Sequence, residues 1–143
     1  PNPNSPASGY KVCLIDIVIT GDGTINGAST WQPSSWWLCA RLQLKSCGWR
    51  PILTYFEYVH RLTVNGSLTM KDPATGFMRL YGNVGTRVSG LTLRAPYFTR
   101  NTDGINVYGG FDSLLENSVV DNGDDCVSIV PTGEWIDGGD FCF

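Results

Sequence analysis

Positive charge is scarce in this sequence: 10 Lys and Arg stand against 13 Asp and Glu in 143 residues, for a formal net charge of -3. With no basic stripe and no polybasic stretch, neither a phosphate backbone nor an anionic bilayer has an electrostatic anchor, so no nucleic-acid or membrane partner is expected. Long apolar runs are also missing, since no stretch approaches the 18 or so residues that a spanning helix requires. The five cysteines, Cys13, Cys39, Cys47, Cys126 and Cys142, form no C-x-x-C pair, and the single histidine, His60, is not at zinc-ligand spacing from any of them. A structural zinc site is thereby disfavoured. The odd cysteine count leaves one thiol free, or paired with a segment absent here, if the protein is exported and oxidised. Helical periodicity never persists for four turns. The one arguable helix spans Leu38–Leu44, with Leu38, Arg41, Leu42 and Lys45 on one face and Cys47-Gly48 ending it.

What the chain does have is glycine, 17 residues of it, with 12% aromatics and 42% hydrophobic residues overall. That composition suits many turns joining short strands around one core. Residues 1–9, rich in Pro, Asn and Ser, read as a flexible lead-in with neither an initiator Met nor a signal-peptide profile, and 10–143 as one domain. Val12–Thr20 is a dense strand broken by Gly21-Asp22-Gly23. Further on, three segments overlay: Leu62–Met70, Arg87–Leu93 and Leu114–Val120, recurring at roughly 23 to 27 residues. Each is an apolar strand, a small polar bend and a second apolar strand, the unit of a parallel β-helix whose inward faces are buried only by stacking. An ordinary β-sandwich would instead repeat every 8 to 12 residues or so with hairpin turns.

The chemistry-bearing stretch is Asn101-Thr102-Asp103-Gly104 followed by Asn122-Gly123-Asp124-Asp125-Cys126. Asp103 precedes Asp124 and Asp125 by 21 and 22 residues, one turn of the repeat, so stacking on adjacent coils brings the three acids into one groove. Crowded carboxylates do not all ionise freely, which places an acid beside a base, the pairing that glycosidic cleavage needs. An isolated Asp-Gly or Gly-Asp is ordinary turn chemistry; two such motifs at a coil-length interval, followed at once by the apolar Val127-Ser128-Ile129-Val130, are a stronger signal.

These two motifs resemble the N-T-D-G and G-D-D-C signatures of polygalacturonases and related rhamnogalacturonan and xylogalacturonan hydrolases. Gly21-Asp22-Gly23-Thr24-Ile25-Asn26-Gly27 is similar to that family's early glycine turn, with Trp36-Trp37 after it and Arg50-Pro51 opening a strand. The resemblance implies an all-β, right-handed parallel β-helix. It also implies hydrolysis of galacturonan-type pectic polysaccharide with inversion, without metal or organic cofactor, by a secreted protein that is a monomer when complete. Asp124 would be the general acid, Asp103 and Asp125 would hold and activate water, and Asn101 and Asn106 would contact substrate. Inversion asks for carboxyls about 6.5–9.5 Å apart, wider than neighbouring strands, so the bend at Gly123 is expected to open the spacing. Asn65-Gly66-Ser67 is an N-glycosylation sequon, which fits secretion.

The match has gaps. The family's downstream G-H-G and R-I-K motifs do not occur, His60 reads as a surface or turn residue, and Asn106 stands where many relatives carry an acid. Glu134–Phe143 looks like the start of a Cys-containing insertion, so the chain is expected to be a fragment truncated on its C-terminal side. Arg79, Arg87, Arg94 and Arg100 are scattered candidates for holding substrate carboxylates. Two alternatives remain: a pectate-lyase-like enzyme using Ca²⁺ and β-elimination, or a non-catalytic carbohydrate-binding β-helix.

Overall fold

Strands such as Val84–Ser89 alternate buried and half-exposed side chains, yet each pairs with a strand one repeat away rather than with its immediate successor. This is the behaviour of a coil whose turns stack. The computed structural model describes residues 14–44 and 49–131. The first coil runs through β1 (Leu14–Ile19), β2 (Asp22–Asn26), a connection carrying helix α1 (Trp36–Arg41), and β3 (Thr54–Glu57). The second holds β4 (Val59–Val64), β5 (Ser67–Lys71) and β6 (Met78–Tyr81). The third holds β7 (Val84–Ser89), β8 (Thr92–Arg94) and β9 (Ile105–Tyr108), and the fourth β10 (Phe111–Glu116), β11 (Val119–Asp121) and β12 (Val127–Val130). Strands at equivalent positions form three 4-stranded sheets, β1-β4-β7-β10, β2-β5-β8-β11 and β3-β6-β9-β12, every pairing parallel. The architecture is an all-β parallel β-helix.

The register lines up one apolar ladder behind each sheet. Ile19, Val64, Val88 and Leu115 stack behind the first; Ile25, Met70, Leu93 and Val120 behind the second; Phe56, Leu80, Val107 and Ile129 behind the third. In the two middle coils Val64, Met70, Leu80, Val88 and Leu93 are essentially inaccessible, each worth about 1.5–3 kcal/mol of burial. The ladders thin toward either end of the described coils, where Ile129 is 76% exposed.

The corners between sheets differ. From the first sheet to the second the chain turns on Thr20-Gly21, Asn65-Gly66, Gly90-Leu91 and Asn117-Ser118. Gly21, Gly66 and Gly90 have φ of 132°, 112° and 73°. A Cβ on Gly66 would collide with the Gly21 carbonyl, and one on Gly90 with that of Gly66, so close coil stacking here demands glycine. From the second sheet to the third the connections are irregular: 27–53, 72–77, 95–104 and 122–126. Back at the first sheet, buried Asn83 ties coils together, its Oδ1 accepting from the Val59 N–H at 2.8 Å and its Nδ2 donating to the Phe56 carbonyl at 3.2 Å.

The sequence expectations map onto this architecture with some shifts. Leu62–Met70, Arg87–Leu93 and Leu114–Val120 all span the first glycine corner and the strands on either side. The helix begins at Trp36 and ends at Arg41, because Gln43 takes φ of 53° and breaks it before Leu44. Trp37 anchors it, 4% exposed, its Nε1 donating to the Pro73 carbonyl at 2.8 Å. Arg50-Pro51 does not open a strand; β3 starts only at Thr54. His60 is neither in a turn nor fully on the surface: it is half-buried within β4, facing Ile15 and Val84 across the first sheet. Residues 1–9, Val12 and the stretch Glu134–Phe143 lie outside the described residues.

Candidate active site

The acids lie in the irregular corner just ahead of the third sheet. Ile105 pairs with Val127, so Asp103 and Asp125 each stand two residues before paired strand starts on adjacent coils. The stacking continues outside the strands, the Gly104 N–H donating to the Asp125 carbonyl at 2.8 Å and the Ile105 N–H to that of Cys126 at 3.1 Å. Asp124 is fixed from both sides: its Oδ2 accepts from the Asn101 N–H and its Oδ1 from the Asp125 N–H, each at 3.0 Å. Asp103 accepts at Oδ2 from Asn106 Nδ2 at 2.9 Å. The Asp125 carboxylate is exposed and makes no side-chain hydrogen bond among the described residues. Two carboxylates are thus oriented by the scaffold and a third is left open to solvent.

A buried hydroxyl relay sets the bend. Thr102, wholly inaccessible, accepts from the Gly123 N–H at 3.0 Å, and its Oγ1 lies 2.9 Å from that of Thr99, which donates to the Pro96 carbonyl at 2.6 Å. Asn122 adds a second tie through Nδ2, to the Thr102 carbonyl at 2.7 Å and the Asp125 carbonyl at 2.9 Å. Gly123 passes so close to the Thr99 carbonyl that a Cβ there would overlap it. The coil carrying Asp124 and Asp125 is therefore locked onto the coil carrying Asp103 by side-chain hydrogen bonds as well as by backbone ones.

The sequence matches the description Glycosyl hydrolases family 28 over residues 9–139. The chain belongs to glycosyl hydrolases family 28. Among curated relatives it is 33% identical over 113 residues to a probable polygalacturonase of Arabidopsis thaliana, covering 79% of this chain and 22% of that protein. It is 30% identical over 128 residues to a polygalacturonase of Malus domestica, covering 87% of this chain and 27% of that one. A polygalacturonase of Persea americana is 33% identical over 117 residues, covering 81% and 24%. This family 28 chain spans about a quarter of the length of those relatives. No solved structure is matched.

The candidate site residues singled out in the sequence all lie among the described residues of this family 28 chain, whereas Cys13, Lys45, Cys47 and Cys142 lie outside them. Asn101 and Asn106 both adjoin the acids, but their side chains are partly engaged. Asn101 Oδ1 accepts from Arg50 at 2.7 Å, and Asn106 is 5% exposed with its Oδ1 buried and unpartnered. Asn65 stands at the opposite corner, half-buried, its Oδ1 without a partner. Cys126, in the acid motif, is a free, exposed thiol. Among the described residues no three His, Cys, Asp or Glu side chains converge as metal ligands, and no helix is long and apolar enough to cross a membrane.

The brace that sequence reading missed is Arg50. Its guanidinium donates to the Ala74 carbonyl at 3.1 Å, the Arg100 carbonyl at 2.9 Å and Asn101 Oδ1, holding the turn that presents Asp103. Thr75 Oγ1 adds a bond to the Asn101 carbonyl at 2.9 Å. Burial, then the neighbouring Arg100 charge, pulls the Arg50 guanidinium below its usual value, while Asp103 pulls the other way. The only hint in the sequence was an arginine before a proline, and nothing there shows that it reaches residues two coils on.

Proposed function

We propose that this chain carries the acid corner of an enzyme that hydrolyses glycosidic bonds in pectic polysaccharide, of galacturonan type. The observation that carries the reading is the corner itself: Asp103, Asp124 and Asp125 stand at the same corner of adjacent coils, two oriented by hydrogen bonds and one free. In this mechanism Asp124 gives its proton to the leaving glycosidic oxygen as the bond to the anomeric carbon breaks. Asp103 and Asp125 hold a water whose oxygen attacks that carbon from the opposite face, and its proton passes to the pair, so configuration inverts. Asn101 and Asn106 border the sugar at the cleavage point. No cofactor enters the step.

The likeness to polygalacturonases supports the substrate class. A secreted, N-glycosylated protein acting on the cell wall fits the same reading, with Asn65 as the glycan site. A disulfide at Cys39 belongs to the same reading, since such bonds persist in oxidising compartments. The test is turnover of polygalacturonate by the full-length natural protein. New reducing ends without an unsaturated product, unchanged by a chelator, are expected. An unsaturated, chelator-sensitive product would replace this reading with Ca²⁺-dependent β-elimination, and tight binding without turnover would leave a carbohydrate-binding β-helix.

A further inference from the structure

Strand pairing links each coil only to the coils beside it, yet Arg50 reaches further. From the irregular connection of the first coil its guanidinium passes the second, donating to the Ala74 carbonyl at 3.1 Å. It ends in the third coil, on the Arg100 carbonyl at 2.9 Å and Asn101 Oδ1 at 2.7 Å. A planar fork with five N–H donors in fixed directions can serve three acceptors on two coils at once, which a single ammonium does less well.

Asn101, at the receiving end, has a backbone φ of 56°. That left-handed conformation is uncommon for a residue with a Cβ and persists where the surroundings hold it. Three of its polar groups are held, each by a different coil. Arg50 of the first coil takes the side-chain oxygen, Thr75 Oγ1 of the second donates to the carbonyl at 2.9 Å, and Asp124 Oδ2 of the fourth accepts from the N–H at 3.0 Å. For the Asp124 carboxylate this last bond is the one hydrogen bond to another coil among the described residues. Its other partner, the Asp125 N–H, belongs to the next residue in the chain and moves with it.

We propose that Arg50 is a positioning residue for the general acid: by clamping Asn101 in its left-handed conformation it aims the Asn101 N–H at Asp124 and so fixes the plane in which that carboxyl meets the leaving oxygen. Asp103 is the other group Arg50 could serve, since their charges attract. No hydrogen bond joins them, however, and Asp103 is oriented by Asn106 instead. The clamp therefore belongs to the acid step rather than to the activation of water. The proposal rests on the reading of Asp124 as the acid and adds a residue three coils away to the machinery that controls it.

The test is a double-mutant cycle on polygalacturonate turnover by the full-length protein, with Asp124→Asn, Arg50→Gln and the two combined, assayed at raised enzyme concentration where turnover is slow. Arg50→Gln alone is expected to lower kcat about ten-fold or more, as a misaimed group does, and to leave KM within about two-fold. In the Asp124→Asn background no proton is left to aim, so adding Arg50→Gln is expected to change kcat by less than about two-fold. No loss, equal losses in both backgrounds, or a loss confined to KM overturns the proposal and leaves the hydrolase reading standing, because Arg50 then supports the fold, the water or the sugar. Asp124→Asn that retains turnover removes the acid assignment itself, and the clamp with it. If Arg50→Gln does not fold by circular dichroism, Thr75→Val decides, since it removes only the hold on the Asn101 carbonyl. A kcat loss seen in the parent and absent beside Asp124→Asn supports the proposal; no loss, or the same loss in both, overturns it.

Discussion

Two corners of the same coil solve opposite problems. Between the first and second sheets the chain turns on a glycine ladder, Gly21, Gly66 and Gly90, in which a side chain on Gly66 or Gly90 would strike the coil beside it. Between the second and third sheets the connections vary in length and carry Asp103, Asp124 and Asp125, held by Thr102, Asn122 and Arg50. The first corner is repetitive and fixes the stacking distance; the second departs from the repeat and so has room for side-chain chemistry. In a solenoid each strand pairs only with strands of the neighbouring coils, which lets one corner be uniform while another diversifies on the same ladders.

The difference can be broken first at the uniform corner. Gly66→Ala forces a Cβ into the Gly21 carbonyl at a φ of 112°, and is expected to cost about 3 kcal/mol or more, read as a lowered denaturation midpoint. Next comes the acid corner. Thr102→Val keeps the shape but removes the hydroxyl that receives the Gly123 N–H, leaving a partly buried donor unpaired at about 1–3 kcal/mol. Turnover should fall further than this loss of stability accounts for, because the Asp124 coil loses its tie to the Asp103 coil. The smallest effect belongs to neither corner. The Arg61 guanidinium hydrogen-bonds Asp16 and holds its carboxyl below the usual range. Any stabilisation is thus present above the ordinary carboxylate range and lost as pH falls through the lowered value. Both side chains are more than half exposed, so Arg61→Ala should leave the melting temperature at neutral pH essentially unchanged.

The uniform corner is what made the fold legible in the sequence. Leu62–Met70, Arg87–Leu93 and Leu114–Val120 overlay because the turn between their strands is short and constant. The third sheet escaped the same overlay: its starts at Thr54, Met78, Ile105 and Val127 follow connections of unequal length, so no single period aligns them. The acids were legible because their types and spacing are rare together. Arg50 was not, since its bond to Asn101 spans 51 residues and depends on how coils stack.

The account's central claim, that the irregular corner is where the bond is cut, is tested most directly by Asp124→Asn in the full-length protein. The amide keeps the side chain's size while losing the proton to be donated. Turnover of polygalacturonate is predicted to drop by a factor on the order of 10³ or more, in line with loss of general acid catalysis, with the melting temperature essentially unchanged. Turnover retained within about ten-fold of the parent, well short of that loss, would contradict the claim and move the chemistry away from this corner.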